Sequence, residues 1–178
     1  YKDGLILNGL GRLVKNYPHI PGIDFSGTVE TSKSSNYVVG DQVVLTGWRV
    51  GESHWGGFAQ KARVDPNWLV PMPDNLSPKR AMAIGTAGFT AMLAFMALED
   101  HGMRPEKGSV LVTGANGGVG SIAIAILKAN GYEVHAVTGR MNLSDRLKAM
   151  GADKIIERSE MMIEPKRSLQ GEYWTGCI

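Results

Sequence analysis

The chain has 178 residues, 43% hydrophobic and 20% charged, with a formal net charge of +2. That length builds a sizeable core, or one domain with part of another, and the near-neutral charge gives no footing for nucleic acid or an anionic membrane. No apolar run in the sequence approaches the ~18 residues that span a bilayer, and the single cysteine, Cys177, excludes a disulfide framework and cysteine-rich zinc lobes and fits a reducing, cytoplasmic compartment.

The first half has poor helical periodicity and frequent glycine and proline. Strands are predicted over 24–29, 42–45 and 58–64, separated by Gly40-Asp41 and by the glycine-rich stretch 47–57. Short strands with turn signals between them predict a compact β-rich domain. A boundary is expected near Pro71-Met72-Pro73. Ser77-Pro78 then offers an N-cap followed by proline at the first helical position. Gly85-Thr86-Ala87-Gly88 leads into a strongly apolar helix over 89–98, ending before His101-Gly102.

The most informative stretch follows. The β-branched run Val110-Leu111-Val112-Thr113 ends in Gly114-Ala115-Asn116-Gly117-Gly118-Val119-Gly120, and an apolar-periodic segment with Ile122, Ala123, Ile126 and Leu127 begins at once. Strand, glycine turn and helix in that order form the context that a dinucleotide fingerprint requires. Glycines let the backbone turn tightly and approach a pyrophosphate, and the helix N-terminus favours negative charge. Ala115 stands at the first glycine of G-x-G-x-x-G, with Gly117 and Gly120 in the other two places. Asn116, Gly117, Gly118 and Val119 are therefore the expected pyrophosphate contacts.

Gly131 is placed to end that helix, and 133–138 reads as a second strand. An NAD-selective site ends this strand in a carboxylate that accepts from the ribose 2′-OH. Here the strand ends in Thr138-Gly139-Arg140, a hydroxyl, a small residue and a guanidinium suited to a 2′-phosphate. The next unit repeats the pattern: a helix over 144–150, Gly151 as cap, a strand over 154–156, then Arg158 on the ligand edge of the sheet. Thr138, Gly139, Arg140 and Arg158 are the expected NADPH-selective residues, against the alternative that each arginine is a solvated loop charge. The last residues, Trp174 to Ile178, read as the approach to a fourth strand. A full dinucleotide fold has about six strands, and the chain starts at Tyr1 without methionine, so the expectation is a piece of a longer protein.

These residues carry a resemblance. Tyr1-Lys2-Asp3, Ile20-Pro21-Gly22-Ile23-Asp24-Phe25-Ser26-Gly27, Gly51-Glu52-Ser53-His54-Trp55-Gly56-Gly57 and Gly85-Thr86-Ala87-Gly88-Phe89-Thr90-Ala91-Met92 closely resemble the medium-chain dehydrogenase/reductase superfamily. Within it they resemble the zinc-free quinone oxidoreductase-like branch that includes bacterial acrylyl-CoA reductase. The resemblance implies an α/β protein: a partial GroES-like β-rich catalytic domain over 1–75, then a partial Rossmann NADP-binding domain over 76–178. It implies NADPH-dependent reduction of the carbon–carbon double bond of acrylyl-CoA to propanoyl-CoA, and a homodimer at full length. A quinone or enone reductase, or a non-catalytic NADPH-binding protein, remains open on the same scaffold.

Zinc-dependent members carry Gly-His-Glu where this chain has Gly22-Ile23-Asp24, and Ile23 cannot bind metal. None of His19, His54, His101 and His135 has metal-ligand spacing, so no metal is expected. Enone reduction places negative charge on the carbonyl oxygen, which needs a hydrogen-bond donor. The resemblance sets Tyr1 beside the cofactor. It is the catalytic candidate, with a cofactor-wall or core role as the alternative. His54 either shapes the pocket or is structural. Asp3 and Asp24 are read as residues that fix backbone loops, and Arg49 either meets an acyl-CoA phosphate or is a surface charge.

Overall fold

Turn chemistry shapes the N-terminal part of the chain, and strand–helix repetition shapes the rest. A computed structural model describes residues 1–163 and 171–178, which fall into two units, Tyr1–Thr86 and Ala87–Ile178.

In the first unit a short helix, α1 (Lys2–Leu7), precedes a three-stranded antiparallel sheet of order β1-β2-β3. Strand β1 (Asp24–Thr28) pairs with β2 (Gln42–Thr46), with Asp24 opposite Thr46 and Thr28 opposite Gln42. Val43 and Leu45, alternate residues of β2, are buried, the period-2 signature of a one-sided sheet. The third strand is β3 (Val70–Pro71), which pairs with the other edge of β2.

The strand expected over 58–64 does not form. The N–H groups at the start of that segment are committed elsewhere: Gly56 donates to Ile20 O (2.6 Å), Gly57 to Gly22 O (2.9 Å) and Phe58 to Pro21 O (3.0 Å). These bonds hold an irregular loop-to-loop seam, and the residues beyond it meet no neighbouring ladder among the described residues. The seam needs glycine. Gly22 has φ +111°, and a Cβ there would lie 2.7 Å from the backbone nitrogens of Gly57 and Phe58.

Helix α2 (Pro78–Asp100) begins as its cap residues predict, with Ser77 Oγ accepting the Arg80 N–H at 3.3 Å. It runs 23 residues, farther toward its N-terminus than the segment 89–98, and Gly85 breaks it with φ 47° and ψ −158°. Asp24 meets the break: its carboxylate accepts the Thr86 N–H at 2.8 Å and the Thr86 hydroxyl at 2.5 Å. Contrary to the sequence reading of apolar runs, α2 is long and apolar enough, by length and composition alone, to cross a membrane. The run-by-run reading missed this because glycine, threonine and alanine interrupt the strongly apolar residues without adding charge. The division between the units falls inside α2. The first turns of α2 belong with β1, whose Ser26 Oγ donates to Pro78 O at 3.1 Å.

The second unit is a parallel sheet of order β6-β5-β4-β7. It comprises β4 (Val110–Val112), β5 (Val134–Thr138), β6 (Lys154–Glu157) and β7 (Gly176–Cys177). The fourth strand anticipated at the end of the chain is β7, parallel to β4. Helices α3 (Gly118–Ala129) and α4 (Ser144–Ala149) make the crossovers. Gly131 (φ +83°) and Gly151 (φ +112°) follow them in the left-handed conformation that ends a helix. Val110, Val112, Ile124, Leu127, Val134 and Leu147 are fully buried in one core. Asp153 ties its edge, taking the Lys128 ammonium at 2.6 Å and the Val134 N–H at 2.9 Å.

Candidate dinucleotide-binding site

The glycine turn leaves β4 and enters α3 through a left-handed Gly114 (φ +54°). Gly117 N–H closes the turn on Gly114 O at 2.7 Å, and Ala115 N–H ties it to Val137 O of β5 at 3.2 Å. The last glycine of the fingerprint is a packing requirement, because a Cβ on Gly120 would sit 2.6 Å from Gly114 O and 2.9 Å from Ala115 Cα. Gly117 is the N-cap of α3 and supplies no side-chain cap. A helix leaves its first N–H groups without intrahelical acceptors. Ser121 N–H reaches Gly117 O at 3.0 Å, so the donors left over are those of Gly118, Val119 and Gly120. An uncapped helix start reached through a glycine turn is a fitting cradle for a pyrophosphate, and Gly118 there also packs close to the Ala87 methyl, 3.0 Å from where a Cβ would sit.

The second half of the site lies where β5 and β6 end side by side, with Thr138 paired to Glu157. The Thr138 hydroxyl is buried and accepts two bonds, from Asn116 Nδ2 at 2.8 Å and from the Arg140 N–H at 2.9 Å. The Arg158 guanidinium lies over Gly139: a Cβ on that glycine would be 2.9 Å from one of its terminal nitrogens. Arg140 and Arg158 are exposed, and among the described residues neither forms an ion pair with a carboxylate. Glu157 stands next to Arg158, but its side chain is engaged with Glu160 in a reciprocal capping box. Asn116, Gly117, Gly118 and Val119 thus share one turn, and Thr138, Gly139, Arg140 and Arg158 share one sheet edge. The side-chain bond from Asn116 to Thr138 was not foreseen. Its only sequence signal is an amide in a turn otherwise made of small and aliphatic residues.

The remaining candidates lie in the first unit. Tyr1 is fully exposed, and its carbonyl accepts the Leu5 N–H of α1 at 3.0 Å. Asp3 accepts the N–H groups of Gly22 (3.1 Å) and Ile23 (3.4 Å), so both Asp3 and Asp24 fix backbone loops. Arg49 lines a cavity of about 390 Å³ together with Lys15, His19, Glu52, Ser53 and Trp55. Its carboxylate, Glu52, is held by Lys2 at 2.6 Å and by Arg49 at 3.8 Å. His54 is not in that cavity's wall; its ring tilts against Trp68 with centroids 4.6 Å apart. Among the described residues no group of three His, Cys, Asp or Glu side chains is gathered as a metal site.

Residues 1–74 match the alcohol dehydrogenase GroES-like domain. Over its whole length the chain is 61% identical to acrylyl-CoA reductase AcuI of Ruegeria pomeroyi, of which it spans 54%. The crystal structure of Escherichia coli K-12 YhdH with bound NADPH superposes with a TM-score of 0.95 at 52% identity, over 99% of this chain and 54% of that one. Bacillus subtilis YhfP, a putative quinone oxidoreductase solved with NAD bound, superposes with a TM-score of 0.88 at 47% identity, over 92% of this chain and 50% of that one. The chain spans about half the length of these relatives. A GroES-like region followed by a parallel dinucleotide-type sheet, with this level of identity along both, assigns the chain to the medium-chain dehydrogenase/reductase family, in the quinone oxidoreductase-like branch of AcuI and YhdH.

Proposed function

We propose that this chain is the cofactor-facing part of an NADPH-dependent, metal-free reductase of the acrylyl-CoA double bond, giving propanoyl-CoA. The observation that carries the cofactor is the end of β5. Thr138, Gly139 and Arg140 stand where an NAD-selective strand carries a carboxylate, and Arg158 adds a second guanidinium without an ion pair among the described residues. NADPH, when bound, supplies the hydride. In this reading Asn116, Gly117, Gly118 and Val119 hold the pyrophosphate, while Thr138, Gly139, Arg140 and Arg158 hold the adenosine 2′-phosphate. Tyr1 contacts the cofactor, as a wall residue in preference to a proton donor. Residues 1–75 serve as the catalytic domain and 76–178 as the cofactor domain.

The substrate reading rests on the 61% identity to the Ruegeria acrylyl-CoA reductase. The kinship to YhfP favours a second reading, reduction of quinones or small enones on the same scaffold. We read α2 as a core helix of a cytoplasmic protein. Ala81, Ala91 and Phe95 on it are buried and Gly85 interrupts it, while Phe89, Leu93 and Met96 are exposed. The near-neutral charge suits a small-molecule partner over nucleic acid, and the full-length protein is read as a homodimer. The test is NADPH oxidation by the full-length protein with acrylyl-CoA and with a simple quinone. Turnover of acrylyl-CoA, with deuterium from labelled NADPH at the β-carbon and persisting in chelator, is the expected result. Label at the carbonyl carbon sinks the double-bond reading, and turnover of the quinone alone selects the second.

A further inference from the structure

We propose that the Asn116 side chain sets the preference for NADPH over NADH, acting from the phosphate turn through the Thr138 hydroxyl on Arg140. The inference rests on the 2′-phosphate reading above and assigns a positioning role within it.

A hydroxyl offers two lone pairs. Those of Thr138 are used by Asn116 Nδ2 at 2.8 Å and by the Arg140 N–H at 2.9 Å. One buried oxygen therefore joins the turn after β4 to the backbone of Arg140, the exposed residue just past the end of β5. Little else holds that backbone. Gly139, between the two, has no side chain, and Arg140 adopts φ −117° and ψ 73°, outside both helix and strand. On its far side, among the described residues, only the Arg140 carbonyl is bonded, accepting the Leu143 N–H at 3.0 Å. If the Asn116 amide lets go, Thr138 can rotate its hydroxyl, and Arg140 loses the bond that orients it.

The other end of the same amide argues that the contact is not kept for stability. Asn116 Oδ1 is buried with no hydrogen-bond partner among the described residues. A buried acceptor left unpaired is costly, and each such group in a folded protein calls for an explanation. An alanine here would remove the orphan and leave an exposed turn otherwise intact. The amide is explained if its donor end does something alanine cannot do, which is to grip Thr138.

The test uses the full-length protein and reads NADPH and NADH affinity by fluorescence titration. Asn116→Ala is expected to lower the NADPH:NADH preference by roughly three- to tenfold, the worth of one hydrogen bond. NADH affinity should fall less than NADPH affinity, since any pyrophosphate contact from the turn is common to both cofactors, and the thermal midpoint should be the same or higher. Thr138→Val should lose the preference equally, Thr138→Ser should retain it, and the Asn116→Ala/Thr138→Val double variant should be no worse than either alone. If Asn116→Ala fails to fold, the Thr138→Val and Thr138→Ser pair decides. A preference untouched by Asn116→Ala and Thr138→Val, but abolished by Arg140→Ala, overturns the relay and leaves the cofactor reading standing. A preference untouched by Arg140→Ala as well overturns both.

Discussion

The two units of the chain hold their shape by different means. In Ala87–Ile178 the parallel sheet buries whole strands: every residue of β4 is buried, and α3 covers it with Ile124 and Leu127. Among its glycines, Gly131 and Gly151 stop helices and Gly120 lets α3 start close against the turn after β4. In Tyr1–Thr86 few large side chains are fully buried, Leu45 and Val50 being the principal ones. The seam there is backbone against backbone, where Gly22, Gly51, Gly56 and Gly57 leave no space for a side chain. One unit is held by apolar packing and the other by close approach of main chain. The candidate cofactor edge is carried by the first kind of scaffold, which keeps the ends of β5 and β6 in register.

The largest expected effects separate these two modes. Leu127→Ala should destabilise the second unit by about 2–5 kcal/mol, the cost of a cavity in a close-packed core. Gly22→Val should cost the first unit on the order of 3 kcal/mol, through a left-handed φ and a backbone clash. Hydrogen exchange read separately over the two units checks both. The comparison fails if Leu127→Ala lowers protection around β1 and β2 as much as around β4 and β5.

Arg140→Ala comes next. Losing a charge-assisted hydrogen bond to a phosphate should cost ~1.5–3 kcal/mol, ten- to a hundredfold in NADPH affinity, with NADH little affected. Equal losses for both cofactors would remove the 2′-phosphate assignment. Tyr1→Phe is expected to do less. A wall residue that loses its hydroxyl should weaken NADPH a few-fold at most and leave kcat nearly intact, whereas loss of an enolate donor would cut kcat about a hundredfold.

The smallest effect tests the edge of the parallel sheet in acid. The hydrogen bond from Lys128 holds the Asp153 carboxyl below its usual range; burial opposes this, and the Val134 N–H assists. A carboxylate depressed in the folded state adds stability above its unfolded pKa of about 4 and loses it as pH falls through the folded value. The unfolding midpoint should therefore drop below about pH 4, and Lys128→Met should flatten that drop. Identical acid profiles for the two proteins would show that the pair is merely a surface contact.

The second unit was legible because its rules are local. Strand, glycine turn and helix follow one another within a dozen residues or so, and Gly131 and Gly151 mark helix ends by their own conformation. The residues of the candidate site at Asn116–Val119 and Thr138–Arg140 fall on one turn and one strand end for the same reason. The first unit was legible only where strands alternate, as in β1 and β2. Residues 58–64 carry the composition of a strand, but their first N–H groups are taken by carbonyls of residues 20–22, a choice made by distant chain. Helix α1 has Gly4 as its third residue and no capping side chain, so nothing local announced it. The Asn116–Thr138 bond joins residues 22 apart in sequence, beyond the reach of any periodicity.

The broken helix α2 has a practical consequence for dissecting this protein. The division between the units comes directly after the Gly85 break, where two helical segments meet. The helical segment after Gly85 starts with its first amide and hydroxyl held by Asp24, which arrives from β1 62 residues earlier. A shortened gene that began at Ala87 would deliver the second unit with a ragged helix start and no carboxylate to close it. One that began at Ser77 would keep the native serine cap but leave Thr86 without its Asp24 contact. Asp24 and Thr86 therefore belong on the same polypeptide, and limited proteolysis should find no clean cut between residues 77 and 100 while β1 is in place.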